Sequence, residues 1–307
     1  MNGSPSNTRR LAWGFVFLAL AVALWVWQRQ PGGEALTPEK AAELGVAHLP
    51  DGTRSIQSSF SNMLIEERGT VRSLYFVADN GSRALESSMD LTRPHELLIP
   101  YTQTMFASHL FVPEPEHVLI IGLGGGSMVR FLQAFDPNLR VDAVEIDPAV
   151  ITVADELFGT RPSSTVRIIE QDGFDFLANS TVPYDVIYMD AFLEPSDATD
   201  ENGVPLDLKT VDFLRDLGTK TRPGGVVVFN VSLDEDIAAI AEAFNQTYLF
   251  KFNAPGRVAV ATLDPERMDV ATLEETARTL EARAIQTPDG DPVGLPFTDM
   301  VRRLHFP

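Results

Sequence analysis

Three glycines and one carboxylate in the middle of the chain have the types and the spacing to hold a small ligand against the backbone. Residues 117–121 form a largely apolar run typical of a buried strand, and the turn that follows contains Gly122, Gly124 and Gly126. Glycines allow a ligand to approach the backbone closely. Glu145 comes about 20 residues later, at the end of a second predicted strand, where a carboxylate can accept hydrogen bonds from both hydroxyls of a ribose. The pattern predicts a nucleotide-type pocket, and a solvated strand end is the alternative for Glu145.

Two further predicted strands also end in acids. Asp172 and Gly173 follow one of these strands, and Asp190 ends the next. A fifth strand is predicted after the turn at residues 222–225. Because the carboxyl ends of parallel strands meet at one edge of a sheet, these acids should face the crevice in which α/β folds bind ligands.

The order of these motifs resembles that of the class I S-adenosylmethionine-dependent transferases and, more narrowly, that of the spermidine synthase (polyamine aminopropyltransferase) family. The resemblance covers roughly residues 55–262. It is strongest at residues 118–126, 144–147, 171–177, 184–190 and 223–228. It implies an α/β fold of class I methyltransferase type, in which a Rossmann-like sheet carries helices on both faces and its last strand is reversed. A small β-rich N-terminal domain is expected before that sheet.

The resemblance also implies a donor and the residues that bind it. The donor would be S-adenosylmethionine or its decarboxylated form, used as a co-substrate, and no metal is expected. The glycines would lie under the methionine part, Glu145 would hold the ribose, and Asp172 would accept a hydrogen bond from the adenine amino group. The implied donor-binding residues are Gly122, Gly124, Gly126, Glu145, Asp172 and Gly173. An N-cap for the following helix is the alternative role of Asp172.

Asp190 is the catalytic candidate. In the family, the matching aspartate takes a proton from the attacking amine. An amine with a pKa near 10 is charged at pH 7 and cannot attack a sulfonium until it loses that proton. A carboxylate beside it attracts the ammonium and accepts the proton, so a small amine or related nucleophile is the expected partner. A structural or helix-capping aspartate is the alternative.

Departures from the family pattern keep the reaction open. The family carries an aspartate within its glycine turn, whereas residues 122–127 contain no acid, and this predicts that ordinary S-adenosylmethionine is tolerated. The second acid after the fourth strand is also absent at residues 190–193, and Ser61 stands in place of a glutamine. Aminopropyl transfer, methyl transfer to an acceptor other than a polyamine, and a non-catalytic, membrane-tethered nucleoside-binding module all remain as hypotheses.

Composition excludes several classes of function. The chain of 307 residues has 43 acidic and 24 basic residues and a formal net charge of −19, which would repel a nucleic-acid backbone. It contains no cysteine, so disulfides, cysteine-based zinc sites and thiol catalysis are excluded. Its five histidines show no metal-ligand spacing. A homodimer is left open.

The N-terminus carries a separate signal. Residues 11–27 are uncharged and include Trp13, Trp25 and Trp27 toward the ends, as in a short membrane helix with interfacial aromatics. They predict a single-pass anchor in the lipid bilayer and a membrane location, with the side of the soluble part undecided. A cleaved signal peptide is the alternative.

Five parts are predicted along the chain. They are a transmembrane anchor at residues 1–30, a linker at 31–54, a small β-domain with a junction helix at 55–112, a Rossmann-like catalytic domain at 113–285 and a tail at 286–307. The expected junction helix covers residues 97–110, and a β-hairpin precedes it at residues 59–77. The catalytic domain should end in an antiparallel hairpin at residues 248–263 and an amphipathic helix at residues 273–284.

Overall fold

The computed structural model describes residues 47–48, 53–78, 80–191, 199, 203–252 and 256–307. The strands are β1 (Ala47–His48), β2 (Arg54–Gln57), β3 (Asn62–Arg68), β4 (Val71–Val77), β5 (Arg83–Asp90), β6 (His117–Ile121), β7 (Arg140–Glu145), β8 (Val166–Glu170), β9 (Tyr184–Met189), β10 (Thr221–Val231), β11 (Gln246–Lys251), β12 (Arg257–Thr262) and β13 (Leu304–His305). The helices are α1 (Pro100–Met105), α2 (Ser127–Phe135), α3 (Pro148–Phe158), α4 (Gly173–Asn179), α5 (Val211–Thr219), α6 (Asp234–Ala243), α7 (Val270–Glu281) and α8 (Phe297–Arg302). Short 3-10 helices occur at Phe106–Leu110 and Leu206–Lys209.

An eight-stranded mixed sheet forms the larger layer. Its order is β13-β11-β12-β10-β9-β6-β7-β8, and the five strands from β10 to β8 run parallel. β12 lies antiparallel between β10 and β11. This arrangement confirms the predicted α/β methyltransferase-type sheet with its reversed last strand. The carboxyl ends of β6, β7, β8 and β9 therefore meet at one edge.

Successive side chains of a strand point to opposite faces of this sheet, and helices cover both faces. In β6 all five residues are buried, as is typical of a parallel strand packed on both sides. Val118 and Ile120 join a core with α2, α7 and α8, whereas Leu119 and Ile121 join a second core with α5 and α6. Both cores therefore hold β6 in place, and the glycine turn follows directly at the end of that strand.

A five-stranded antiparallel sheet precedes the larger one, with its strands paired in sequence order. It includes the predicted hairpin, in which β3 and β4 are joined through Gly69 at φ +63°. Met63, Ile65, Leu74 and Met89 pack against α3 in a third core. This contact brings β5 beside the glycine turn.

The structure differs from the sequence-based expectation at the junction helix. Residues 97–110 form a helix only from Pro100, and the last five residues are a 3-10 helix. Proline fixes φ at the first helical position and keeps the preceding Ile99 extended, with ψ 124°. The helix is therefore shorter than apolar spacing alone indicates.

The C-terminal tail contains structure that its sequence did not reveal. α8 buries Phe297, Met300 and Val301, and β13 pairs with β11 at the sheet edge. These elements are too short for apolar periodicity to show.

The predicted membrane location is wrong on the described structure. No helix within the described residues is long and apolar enough to cross a bilayer. Residues 11–27, on which that prediction rested, lie outside the described residues, as does the short helix expected at residues 38–44. The anchor segment and its lipid partner, which depend on those residues, are not tested by the described structure.

Candidate active site

The glycine turn begins where β6 meets β9. Gly122 has φ +95°, and a Cβ atom there would lie 2.2 Å from the backbone oxygen of Asp190. The amide of Gly122 donates to the oxygen of Val144 at 2.8 Å, and the amide of Asp190 donates to the oxygen of Ile121 at 3.0 Å. Only glycine fits this crossing, so the first predicted ligand-binding glycine also sets the distance between the turn and Asp190.

The rest of the turn is held from behind. Gly124 and Gly126 have φ values of +53° and +73°, and Gly126 caps α2. The amide of Gly125 donates to Ser87 Oγ at 2.8 Å. The buried guanidinium of Arg130 donates to the oxygen of Gly125. Contacts from β5 and α2 therefore give the turn one conformation.

Glu145 lies at the end of β7 and faces the turn. Its Oε2 accepts from the amide of Leu123 at 2.9 Å, and its Oε1 accepts from the amide of Asp147 at 3.0 Å. Burial raises the pKa of Glu145 above its usual range, although these backbone donors oppose the shift. Each carboxylate oxygen keeps a further lone pair with which to accept a ribose hydroxyl.

Asp172 occupies the helix-cap position that sequence analysis gave as its alternative. Its Oδ1 accepts from the amides of Phe174 at 2.8 Å and Asp175 at 3.2 Å, at the start of α4. A Cβ atom at Gly173 would lie 2.8 Å from Ile121 Cγ2, so the helix starts in close contact with β6. Both residues still line the cavity described below, and capping leaves Oδ2 of Asp172 available to a ligand.

Asp190 directly follows β9 and lines the cavity described below. Its Oδ2 accepts from the hydroxyl of Tyr101, on α1, at 3.2 Å. Its Oδ1 is shielded from solvent and has no hydrogen-bond partner among the described residues. Burial raises the pKa of Asp190 to about 6, and the polar side chains of Tyr101 and Asn230 beside it partly oppose that shift. A group that accepts a proton near neutral pH is suited to general-base chemistry.

Glu86, on β5, is a site residue that the sequence analysis missed. Burial, together with the nearby charges of Asp190 and Glu145, raises the pKa of Glu86 to about 8. No motif in the sequence includes Glu86, and the burial of the next three residues, Ser87–Met89, is visible only in the fold.

Asp147 links the smaller sheet through hydrogen bonds to the edge of the larger sheet at which β7 ends. It is 2% exposed, and its Oδ2 accepts from Ser58 Oγ at 2.6 Å and from Ser61 Oγ at 2.8 Å. Its Oδ1 accepts from the amide of Ala149 and so caps α3. One carboxylate thus couples the β2–β3 connection to the start of α3, next to Glu145.

These elements enclose one main cavity of about 900 Å³, including its mouth. Phe60 and Phe76 from the smaller sheet and Phe174 from α4 provide apolar walls. The predicted site residues that line it are Gly122, Gly124, Glu145, Asp172, Gly173 and Asp190. Gly126 lies instead on a smaller adjoining cavity of about 400 Å³, behind the turn. The structure therefore gathers the predicted residues around two connected spaces of the size that small ligands occupy.

Known proteins share this architecture and sequence. Residues 100–247 match the family model for the spermine/spermidine synthase domain. A polyamine aminopropyltransferase from Chromobacterium violaceum is 37% identical over 169 residues, covering 54% of this chain and 60% of that protein. The chain thus spans about three fifths of that relative's length.

Two solved structures align with this chain. The probable spermidine synthase from Corynebacterium glutamicum aligns with a TM-score of 0.59 at 20% identity, over 75% of this chain and 88% of that one, which is a likeness of fold. Human methyltransferase-like protein 13, solved in complex with SAH, aligns with a TM-score of 0.54 at 27% identity, over 60% of this chain and 91% of that one. Together these likenesses support a spermidine synthase-like family of class I S-adenosylmethionine-dependent transferases for this chain.

Proposed function

We propose that this chain transfers an alkyl group from an S-adenosylmethionine-type donor to an amine or related small nucleophile. The observation that carries the proposal is that a glycine turn, Glu145 and Asp190 line one cavity, and that one carboxylate oxygen of Asp190 has no hydrogen-bond partner among the described residues. The first two features suit an adenosyl donor, and the third suits the removal of a proton from a nucleophile beside it.

Donor binding follows from the shape and polarity of the cavity. Gly122 and Gly124 place no side chain between the backbone and the donor's methionine part, and Glu145 accepts from the ribose hydroxyls. Asp172 Oδ2 and the Gly173 backbone lie where the adenine edge would meet polar partners, between the aromatic walls. When bound, the donor supplies a sulfonium carbon that is open to nucleophilic attack.

Asp190 prepares the acceptor for that attack. Its carboxylate attracts an ammonium group and takes one proton, which frees the nitrogen lone pair. The lone pair forms the new nitrogen–carbon bond, the carbon–sulfur bond breaks, and its electron pair stays on sulfur as a neutral thioether. Tyr101, whose own pKa burial raises well above the usual range, stays protonated and holds Asp190 Oδ2 through its hydroxyl.

Aminopropyl and methyl transfer are the two candidate reactions. Kinship with polyamine aminopropyltransferases favours the first. Methyl transfer is favoured by a glycine turn that lacks an acid and by 27% identity to a protein named as a methyltransferase. Both reactions would use the same donor-binding residues and the same proton acceptor. They differ in which group attached to the donor's sulfur is transferred.

Calorimetry with S-adenosylmethionine, its decarboxylated form and methylthioadenosine tests the donor assignment. We expect the full chain to bind at least one of them and Glu145→Ala to lose about 2–4 kcal/mol of that affinity, because charge-assisted hydrogen bonds are lost. Glu170→Ala is the matched control, since Glu170 lies opposite Glu145 on β8 and is exposed. Equal affinity in folded Glu145→Ala would reject the donor site.

Product analysis then separates the reactions. Incubation of the chain with each donor and putrescine, followed by mass spectrometry, should show an added aminopropyl or methyl group in the wild type and none in Asp190→Asn. Donor binding without turnover of any amine offered would favour a non-catalytic nucleoside-binding module.

A further inference from the structure

We propose that Glu86 and Asp190 together bind one primary ammonium group of a ligand, so that Glu86 sets the charge selectivity of the cavity. This inference rests on the proposed function and deepens it by naming the ligand chemistry. The ammonium can belong to the transferred tail of the donor or to the acceptor amine, and the experiment below distinguishes these two sources.

The position of Glu86 between two cavities supports this inference. Glu86 lines both the main cavity and the smaller cavity behind the turn, and Asp190, Gly122 and Gly124 line both as well. Its neighbour Ser87 accepts from the amide of Gly125, which fixes β5 against the turn. Glu86 therefore stands where the two spaces meet, opposite the proton acceptor.

The charges of the groups around Glu86 and Asp190 also support this inference. The ionisable groups that influence Glu86 and Asp190 are Glu145 and Tyr101, and neither is a cation. Within the described ranges, no lysine or arginine is among the groups that shift the pKa of Glu86 or Asp190, and Asp190 Oδ1 is buried without a hydrogen-bond partner. Ionised carboxylates brought together in a buried site are unfavourable until a cation arrives. A ligand ammonium provides that cation and up to three hydrogen-bond donors.

A ligand carboxylate gains no ion pair from these two acids. The glycine turn itself contains no acid, which by itself predicts that ordinary S-adenosylmethionine is tolerated. In the folded chain an acid reaches the turn from a different sheet, because Glu86 lies beside Gly124. The decarboxylated donor, which keeps the ammonium and lacks the carboxylate, is therefore the better match.

Proton release supplies a readout that a structural role would not produce. Burial and the two neighbouring acids raise the pKa of Glu86 to about 8, so this carboxyl is largely protonated at pH 7 without a ligand. An arriving ammonium favours the ionised form, and binding should expel about one proton. Calorimetry in buffers of different ionisation enthalpy measures that number directly.

The test compares wild type, Glu86→Gln and the control Glu116→Gln, an exposed glutamate that precedes β6. We measure affinities for S-adenosylmethionine, its decarboxylated form and methylthioadenosine, and for putrescine with methylthioadenosine bound. Glu86→Gln should weaken one ammonium ligand about tenfold to a hundredfold, keep methylthioadenosine affinity and abolish proton release. Loss for the decarboxylated donor assigns the ammonium to the donor, and loss for putrescine assigns it to the acceptor.

Other outcomes overturn the inference. Equal losses for methylthioadenosine and the ammonium ligands would make Glu86 structural, and unchanged affinities would leave it without a binding role. In both cases the donor site would stand, because methylthioadenosine still binds wild type through Glu145. Failure of wild type to bind any of these ligands would reject both the inference and the proposed function.

Discussion

The pKa values of Glu86 and Asp190 are set by their buried surroundings. Each is an ordinary carboxylic acid, yet burial raises the pKa of Asp190 to about 6 and, with nearby acids, that of Glu86 to about 8. Tyr101 donates to one oxygen of Asp190 and leaves the other without a partner among the described residues. Because these pKa values differ from those in the unfolded chain, the free energy of unfolding of the ligand-free chain should depend on pH.

Glu86 should make stability depend on pH in a defined direction. Because its folded pKa lies above its unfolded value, the folded state binds more protons between pH 4.5 and 8, and stability falls as pH rises through that window. From pH 6.5 to 8, the free energy of unfolding of wild type should fall by about 1–2 kcal/mol relative to Glu86→Gln. Urea denaturation at several pH values measures this difference. Parallel pH profiles for the two proteins would contradict it.

At the scale of elements, the meeting of β6 and β9 is the tightest constraint on the site. Gly122→Ala should destabilise the fold and abolish donor binding, because its Cβ atom would lie 2.2 Å from the oxygen of Asp190. We expect a loss of more than about 2 kcal/mol, measured by urea denaturation. Gly159→Ala is the control, since Gly159 also has positive φ, at +67°, but no atom within 4 Å of an added Cβ. Similar losses in both variants would show that backbone conformation alone, and not the crossing, matters.

Local pattern predicted the elements of the large sheet well. The apolar runs that became β6 and β9, and the acids that end them, follow rules of composition and period that act within one strand. The hairpin of β11 and β12 was predicted for the same reason. By contrast, the contact of Tyr101 with Asp190 and the approach of Glu86 to the turn join segments far apart in the chain. No period within a strand encodes such contacts, so these two residues escaped prediction.

At the scale of the whole molecule, the site exists only where two sheets meet. Asp147→Ala removes the acceptor of two serine hydroxyls as well as the cap of α3. It should lower stability by about 2–4 kcal/mol and also weaken donor binding, since Phe60 and Phe76 would no longer be held over the cavity. Asp269→Ala is the control, because Asp269 caps α7 at the surface and touches no second sheet. Equal effects of the two variants on stability and binding would contradict a coupling role.

The last residues of the chain have a consequence for how copies of this protein meet. A sheet edge with free backbone groups is a template on which another chain can add a strand. Here β11 would present such an edge, but Leu304 and His305 pair with Phe250 and Leu249 and cover its middle. The covering strand is only two residues long and is followed by Phe306 and Pro307, which lacks an amide donor. This short strand therefore occupies backbone groups in the middle of β11 that a strand from another copy would otherwise pair with.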